Sequence, residues 1–190
     1  MGRPAEKPAL TLAEFMAWEN KQPDKHEFVH GEVFAMVGAR RVHVAVAGNC
    51  FALLKQHLRA TPCRAFASDM KLQVATNIFY PDVLVSCDPG DLQADLSMQH
   101  PRAIIEVLSD STAAYDRGEK FAAYRQIASL QEYALIDPDR LSIEVFRRTP
   151  EGDWLLAASE AGRGLILKTL DFIATPAQVF EDISGSVEQA

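Results

Sequence analysis

The chain has 190 residues, 48% of them hydrophobic and 24% charged, which is typical of a globular protein with one domain over residues 1–190 and frayed ends at 1–9 and 184–190. No apolar run reaches the roughly 18 residues that a membrane-spanning helix needs, which excludes such a span. The formal net charge of −7 excludes a broadly basic surface, so a nucleic-acid partner must meet a local basic patch or carboxylates screened by bound cations.

The N-terminal segment predicts a helix followed by a hairpin. Thr11 and Glu14 have the spacing of a capping box at the start of a helix over 10–20. Two short strands over 26–36 flank His30-Gly31, a pair typical of a hairpin turn. Glu27 lies at the edge of the first strand, where it is either a solvated strand end or a supporting ligand.

The longest predicted helix covers residues 41–59. Apolar residues at spacings of three and four predict that one face packs on the core. That face comprises Val44, Gly48, Phe51, Leu54 and Leu58. His43 lies near the helix start and off this face, as a capping or surface residue or as a residue that lines an active site.

Three elements in the middle of the chain place a charge in an apolar pattern. A strand over 79–86 carries Asp82, a strand over 103–109 contains Glu106, and a helix over 115–124 carries Lys120 beside its apolar stripe. A buried carboxylate is costly unless it is paired or holds a metal ion. The set predicts a phosphodiesterase site in which carboxylates hold Mg²⁺ or Mn²⁺ and a lysine assists. The alternative for Lys120 is a surface ion pair with Asp116.

The C-terminal half adds a strand over 131–137, a hairpin over 141–158 and a short helix over 176–183. The helix between the strands at Ala103 and Glu132 permits a parallel crossover. The fold class is therefore α/β or α+β: a mixed central sheet flanked by helices, with a C-terminal β-hairpin extension.

The three cysteines are Cys50, Cys63 and Cys87. Their odd number and wide spacing predict neither a disulfide framework nor a zinc site, and they favour a reducing cytoplasm. The N-terminus also lacks the apolar core of a signal peptide. We expect a cytoplasmic protein.

Three motifs together resemble the Uma-two family, restriction-endonuclease-like proteins within the PD-(D/E)xK nuclease superfamily. They are Tyr80-Pro81-Asp82-Val83, Glu106-Val107-Leu108-Ser109 and Asp116-Arg117-Gly118-Glu119-Lys120 with Tyr124. The resemblance extends from the first helix through Trp154. It implies a restriction-endonuclease-like fold and the activity of a Mg²⁺- or Mn²⁺-dependent endonuclease that acts on DNA. Both a monomer and a homodimer are compatible with it.

The resemblance also implies roles for individual residues. Asp82 and Glu106 match the metal-binding acids, helped by the main-chain carbonyl of Val107, and Glu27 matches a supporting acid. Residues expected around them are Asp69, His43 and Tyr124. Leu108 stands where the family motif has its lysine, so Lys120 is expected to replace it from the helix.

Two other functions stay open. An inactive or regulatory relative that binds nucleic acid or protein is favoured by the acidic charge and by the loss of the strand lysine. A purely structural oligomer is favoured by the apolar strands near the C-terminus. DNA and RNA are not distinguished by the sequence.

Overall fold

A computed structural model describes residues 10–36, 38–158 and 164–183, so the fraying expected at 1–9 and 184–190 lies outside the described residues. The helices are α1 (Leu12–Glu19), α2 (Arg41–His57), α3 (Ala113–Tyr115), α4 (Phe121–Tyr124) and α5 (Pro176–Val179). A π-helical turn, Asp116–Lys120, joins α3 to α4. Within the described ranges, no helix is long and apolar enough to cross a membrane.

The strands fall into three sheets. They are β1 (His26–Val29), β2 (Glu32–Ala35), β3 (Arg64–Ala67), β4 (Lys71–Val74), β5 (Asn77–Phe79), β6 (Val83–Ser86), β7 (Ser97–Met98), β8 (Pro101–Val107), β9 (Glu132–Asp137), β10 (Ser142–Arg148), β11 (Trp154–Ala158), β12 (Leu165–Leu167) and β13 (Phe172–Ala174). The largest sheet has the order β11-β10-β9-β8-β6-β3, a second has the order β2-β1-β5-β4-β7, and β12 pairs with β13.

The largest sheet is mixed, because β8 and β9 are parallel and their neighbours are antiparallel. The helical segment from α3 to α4 makes the crossover between β8 and β9 that the sequence allowed. The C-terminal hairpin extends this sheet at one edge through β10 and β11. The predicted class, a mixed sheet with flanking helices, is confirmed.

Local sequence signals at the N-terminus are confirmed. The Thr11 side chain accepts from the Glu14 N–H while the Glu14 carboxylate accepts from the Thr11 N–H, which completes the capping box of α1. His30 and Gly31 both have positive φ, 52° and 86°, as a two-residue hairpin turn between β1 and β2 requires.

The largest sheet has a core on each face. Helix α2 covers one face, where it packs on alternate strand residues such as Val83, Ile105 and Val107. The opposite face carries Leu84, Ile104 and Tyr133, which pack with α4. Because side chains alternate along a strand, Glu106 points to the α4 face of the sheet.

The predicted core face of α2 is confirmed at Leu54 and Leu58, which are buried, and is wrong in the first half of the helix. Val44 is 59% exposed and Gly48 is exposed, whereas the buried residues of the helix are Val46, Ala47, Cys50 and Leu54. Apolar or small residues occur almost all round this helix, so several stripes satisfy helical spacing. The tilt of the helix on the sheet selects the one that is buried.

The cysteine prediction also needs correction, because Cys63 and Cys87 form a disulfide and Cys50 is free and buried. Arg64 pairs with Ser86 in the antiparallel register of β3 and β6. The preceding and following residues, Cys63 and Cys87, therefore face each other across the two strands. Sequence spacing could not reveal this pair, since the register brings together residues that are 24 positions apart.

Candidate functional site

Asp82 lies in the short segment Tyr80–Asp82, where the chain passes from β5 in the second sheet to β6 in the largest sheet. Its Oδ2 accepts a hydrogen bond from the Val107 N–H (2.8 Å), and its Oδ1 lies 2.9 Å from His43 Nε2. The carboxylate is 18% exposed, so solvent still reaches it. Helix α2 and strand β8 thus hold Asp82 from two sides.

Glu106 lies on β8 beside Asp82. Its Oε1 accepts from Lys120 Nζ (3.1 Å) and from the Tyr124 hydroxyl (2.9 Å), and its Oε2 lies 3.4 Å from the Asp82 backbone nitrogen. The residue is only 2% exposed. Burial raises the pKa of Glu106 well above its usual range, and the Lys120 ammonium opposes that shift.

Lys120 reaches this carboxylate from the π-helical turn. Asp116 and Lys120 are both buried, while the three residues between them are exposed. The wider turn therefore directs two charged side chains at i and i+4 toward the sheet, and such turns are frequent at functional sites. Lys120 Nζ lies 3.5 Å from the Asp116 carboxylate. Because both side chains are buried, this is a buried ion pair and not a surface pair.

Glu27 completes the arrangement from strand β1. Its Oε1 lies 3.2 Å from Lys120 Nζ and accepts from the Tyr80 N–H (3.3 Å), and its Oε2 accepts from the Tyr115 hydroxyl (3.4 Å). Glu27 is 7% exposed. The two sheets therefore contribute carboxylates to the same lysine.

We call Glu27, Asp82, Glu106, Asp116 and Lys120 the acidic cluster. Burial alone would lower the pKa of Lys120, but the surrounding carboxylates, led by Glu106, outweigh it and raise this pKa well above its usual range. Burial also raises the pKa of Asp116. The lysine is cationic at neutral pH, and three carboxyl groups, those of Glu27, Glu106 and Asp116, lie within 3.5 Å of its Nζ.

Of the three residues predicted to surround the acids, two contact them and one does not. Tyr124 contacts Glu106 and His43 contacts Asp82, while the buried Nδ1 of His43 has no hydrogen-bond partner among the described residues. Burial and the Glu106 carboxylate raise the pKa of Tyr124 well above its usual range, which keeps the hydroxyl a proton donor. Asp69 is not brought to the cluster, because its carboxylate is 80% exposed and pairs with Lys25.

The structure shows that Leu108 and Asp116 are both buried, which the sequence did not predict for Asp116. Leu108 is buried in the core of the α4 face, so an apolar side chain fills the place of the motif lysine. The sequence indicates Asp116 as part of a family motif and as the partner of Lys120 in the alternative surface pair, and it assigns Asp116 no role in the site. Its burial depends on the π-helical turn, and no local pattern in this stretch of sequence predicts a π turn.

The donor atoms of the cluster suit a hard divalent cation. Carboxylate oxygens are the preferred ligands of Mg²⁺ and Mn²⁺. The Val107 N–H already points to Asp82, and its carbonyl leaves the strand on the same side, because Leu108 N–H pairs with β9 instead. Asp82, Glu106 and the Val107 carbonyl therefore offer oxygen donors of the kind that such an ion prefers, and waters would supply its remaining ligands.

A second acidic group lies in the loop after β6. Asp88, Asp91 and His100 each offer a ligand atom within 4.8 Å of the others, the one such triple among the described residues. The buried Asp91 carboxylate accepts hydrogen bonds from Ser86 Oγ and from the backbone N–H groups of Gln99 and His100. These bonds explain the burial of Asp91 as the anchor of its loop.

The chain is similar in sequence to two proteins of a cyanobacterium of the genus Synechocystis. It is 36% identical over 165 residues to "Uncharacterized protein slr1290" of Synechocystis sp. (strain ATCC 27184 / PCC 6803 / Kazusa), a match that covers 86% of this chain and 87% of that protein. It is 35% identical over 151 residues to "Uncharacterized protein sll1609" of the same organism, covering 77% of this chain and 85% of that protein.

A solved structure shares the fold. The crystal structure of "a putative nuclease belonging to DUF820" from Anabaena variabilis ATCC 29413 matches with a TM-score of 0.73 and 18% identity, over 90% of this chain and 97% of that chain. The model of the Uma2 (Uma-two) family, described as "Putative restriction endonuclease", matches residues 12–176. These matches confirm the resemblance found in the sequence, and the chain belongs to the Uma2 family.

Proposed function

We propose that this protein is a metal-dependent endonuclease that hydrolyses phosphodiester bonds of DNA. One observation carries the proposal: Glu106 lies against the backbone of Asp82 and also accepts hydrogen bonds from Lys120 and Tyr124. Family membership supports the same chemistry, because the family model is described as "Putative restriction endonuclease". The related crystal structure is described as that of "a putative nuclease".

Asp82, Glu106 and the Val107 carbonyl would hold Mg²⁺ or Mn²⁺. The bound ion supplies Lewis-acid stabilisation of the phosphate and lowers the pKa of water. Lys120 supplies a positive charge beside the scissile phosphate, which stabilises the charge that develops on its oxygens. Tyr124 fixes the orientation of Glu106, His43 fixes that of Asp82, and Glu27 and Asp116 hold the Lys120 ammonium in place.

The charge balance agrees with this division of roles. Ionisation of all four carboxyl groups beside one ammonium brings repulsion in a mostly buried site, in line with the raised pKa values of Glu106 and Asp116. Only Asp82 is as much as 18% exposed at its side chain. A divalent cation relieves this repulsion, and the exposed side of Asp82 gives it a path from solvent.

A cleavage assay tests the proposal. Supercoiled plasmid, linear duplex and single-stranded DNA are each incubated with the pure protein, with Mg²⁺, with Mn²⁺ or with EDTA. We expect cleavage only with metal, and its loss in Asp82→Asn and Glu106→Gln. Glu132→Gln is the matched control, since Glu132 is equally buried but contacts Arg147 and Thr169 instead of the cluster. Cleavage that survives in both cluster variants would overturn the proposal.

An inactive relative that binds nucleic acid or protein is the second candidate. Leu108 replaces the motif lysine, and Lys120 is engaged by three carboxylates, which leaves it less free to act on a substrate. This candidate predicts metal-independent binding of DNA and no cleavage under any of the conditions above.

A further inference from the structure

An open groove of about 620 Å³ lies between α2 and β3, outside the acidic cluster. Three cations, Lys55, Arg59 and Arg64, line it and are exposed. None of the three forms a salt bridge with a described residue. Asp69 also lines the groove, but its carboxylate pairs with Lys25. In a chain with a net charge of −7, the groove is therefore a local concentration of positive charge.

The floor of the groove is apolar and partly aromatic. Phe51 and Phe66 both line the groove and are half-buried; Phe51 packs on the core under α2, and Phe66, on the edge strand β3, packs on the core of the α4 face. Lys55 Nζ lies 5.2 Å from the centre of the Phe51 ring. Cations beside accessible parts of aromatic rings are the combination that binds single-stranded nucleic acid, because the cations contact the phosphates and the bases stack on the rings.

The two elements that form the sides of the groove, β3 and α2, both approach Asp82. On one wall, Ala67 pairs with Val83, the residue after Asp82, and the Ser68 N–H donates to the Asp82 carbonyl oxygen (3.1 Å). On the other wall, α2 begins near His43, which contacts Asp82, and Phe51 follows about 12 Å further along the helix. A strand that occupies the groove would therefore continue toward the acidic cluster.

We infer that this groove binds an unpaired segment of a nucleic-acid strand and directs that strand into the acidic cluster. The inference rests on the proposed function for the direction of the strand, whereas binding in the groove does not. A blunt duplex fits the groove poorly, because its bases are stacked inside the helix and cannot reach the apolar floor. A second copy of the chain is disfavoured, since a two-fold contact would bring the same three cations together.

Fluorescence anisotropy with a labelled 12-mer of deoxythymidine and a blunt duplex of equal length tests the inference. The protein is the full chain with Asp82→Asn, in EDTA, so that cleavage does not interfere. We expect the single strand to bind at least ten-fold more tightly than the duplex. In Lys55→Glu/Arg59→Glu, binding should weaken at least ten-fold, and the salt slope should fall by about 1.4 for the two lost phosphate contacts.

Two variants control for charge and for packing. Lys21→Glu/Arg102→Glu makes the same formal change at two exposed residues outside the groove and should bind like the parent. Phe51→Leu keeps an apolar side chain and should weaken binding several-fold with an unchanged salt slope.

Three outcomes would overturn the inference. They are preference for the duplex, equal loss of binding in both double variants, and a dimer in sedimentation that the groove variant dissociates. Failure of the proposed function is distinguishable: groove-dependent binding without cleavage by the wild-type chain removes the nuclease but leaves the groove site. Cleavage that does not depend on the groove variants shows that the groove does not direct the strand into the acidic cluster, which overturns that part of the inference but leaves the nuclease.

Discussion

Lys120 Nζ lies 3.1 Å from Glu106 Oε1, although the two residues belong to different elements and Lys120 is reached only after the chain has left the sheet. The π-helical turn makes this contact possible by directing Lys120 inward together with Asp116. The Glu106 carboxylate is therefore contacted by a lysine from the helical segment and not by one from its own strand.

Lys120→Met should nearly abolish cleavage. It removes the ammonium but keeps an unbranched side chain, and loss of one positioned cation typically costs on the order of 10² to 10³ in rate. Metal binding should persist, because Asp82 and Glu106 remain. Arg117→Ala, in the same turn but exposed, is the control and should cleave normally. Single-turnover cleavage rates measure the effect. A wild-type rate in Lys120→Met would contradict a catalytic role for Lys120.

Mn²⁺ should stabilise the protein through Asp82. At a ten-fold excess over Kd, binding to the folded state contributes about 1.4 kcal/mol, or roughly 3–6 °C in Tm for a chain of this size. Differential scanning calorimetry should show this rise in the wild type and none in Asp82→Asn. Asp91→Asn tests the other acidic group: if the rise disappears there instead, the metal binds in the loop and not in the acidic cluster.

Tyr124→Phe should lower the free energy of unfolding and leave the fold unchanged. The variant removes one hydroxyl, whose hydrogen bond to the buried Glu106 carboxylate is worth about 1.5–3 kcal/mol. Urea unfolding followed by circular dichroism measures the loss. Tyr115→Phe is the comparison, because its bond to Glu27 is longer, at 3.4 Å, and should matter less. Equal stability of Tyr124→Phe and wild type would show that this bond contributes nothing.

Reduction of the Cys63–Cys87 disulfide should lower the free energy of unfolding. The bond closes a loop of 24 residues, for which loss of chain entropy in the unfolded state predicts about 3 kcal/mol. Unfolding in urea with and without dithiothreitol, and in Cys63→Ser/Cys87→Ser, measures the effect. Thiol titration of the unfolded, unreduced chain should find Cys50 alone, and three reactive thiols would contradict the bond.

Glu132→Gln should reduce stability and leave cleavage intact. Glu132 is fully buried, and its carboxylate accepts from Arg147, from the Lys168 N–H and from the Thr169 N–H and hydroxyl. It therefore ties β9 to the segment after β12 and lies outside the acidic cluster. We expect a loss on the order of 1.5–3 kcal/mol in urea unfolding. A cleavage rate per folded molecule well below wild type would place Glu132 in the catalytic machinery.

The sequence by itself determined the local structure and the identity of the principal acids. A capping box and a two-residue turn depend on contacts between residues a few positions apart, so Thr11–Glu14 and His30-Gly31 could be predicted from spacing. Asp82 and Glu106 stood out because a lone carboxylate in an apolar strand is costly. Their motifs also carried the family resemblance, and with it the mixed sheet.

The tertiary structure decided which of these residues meet. Antiparallel register joined Cys63 to Cys87, the tilt of α2 buried Val46 in place of Val44, and Asp69 was left in solvent beside Lys25. The burial of Asp116 follows from the wider π turn. Each of these depends on the packing of segments distant in the chain, where several arrangements satisfy the same local pattern and only the assembled core selects one.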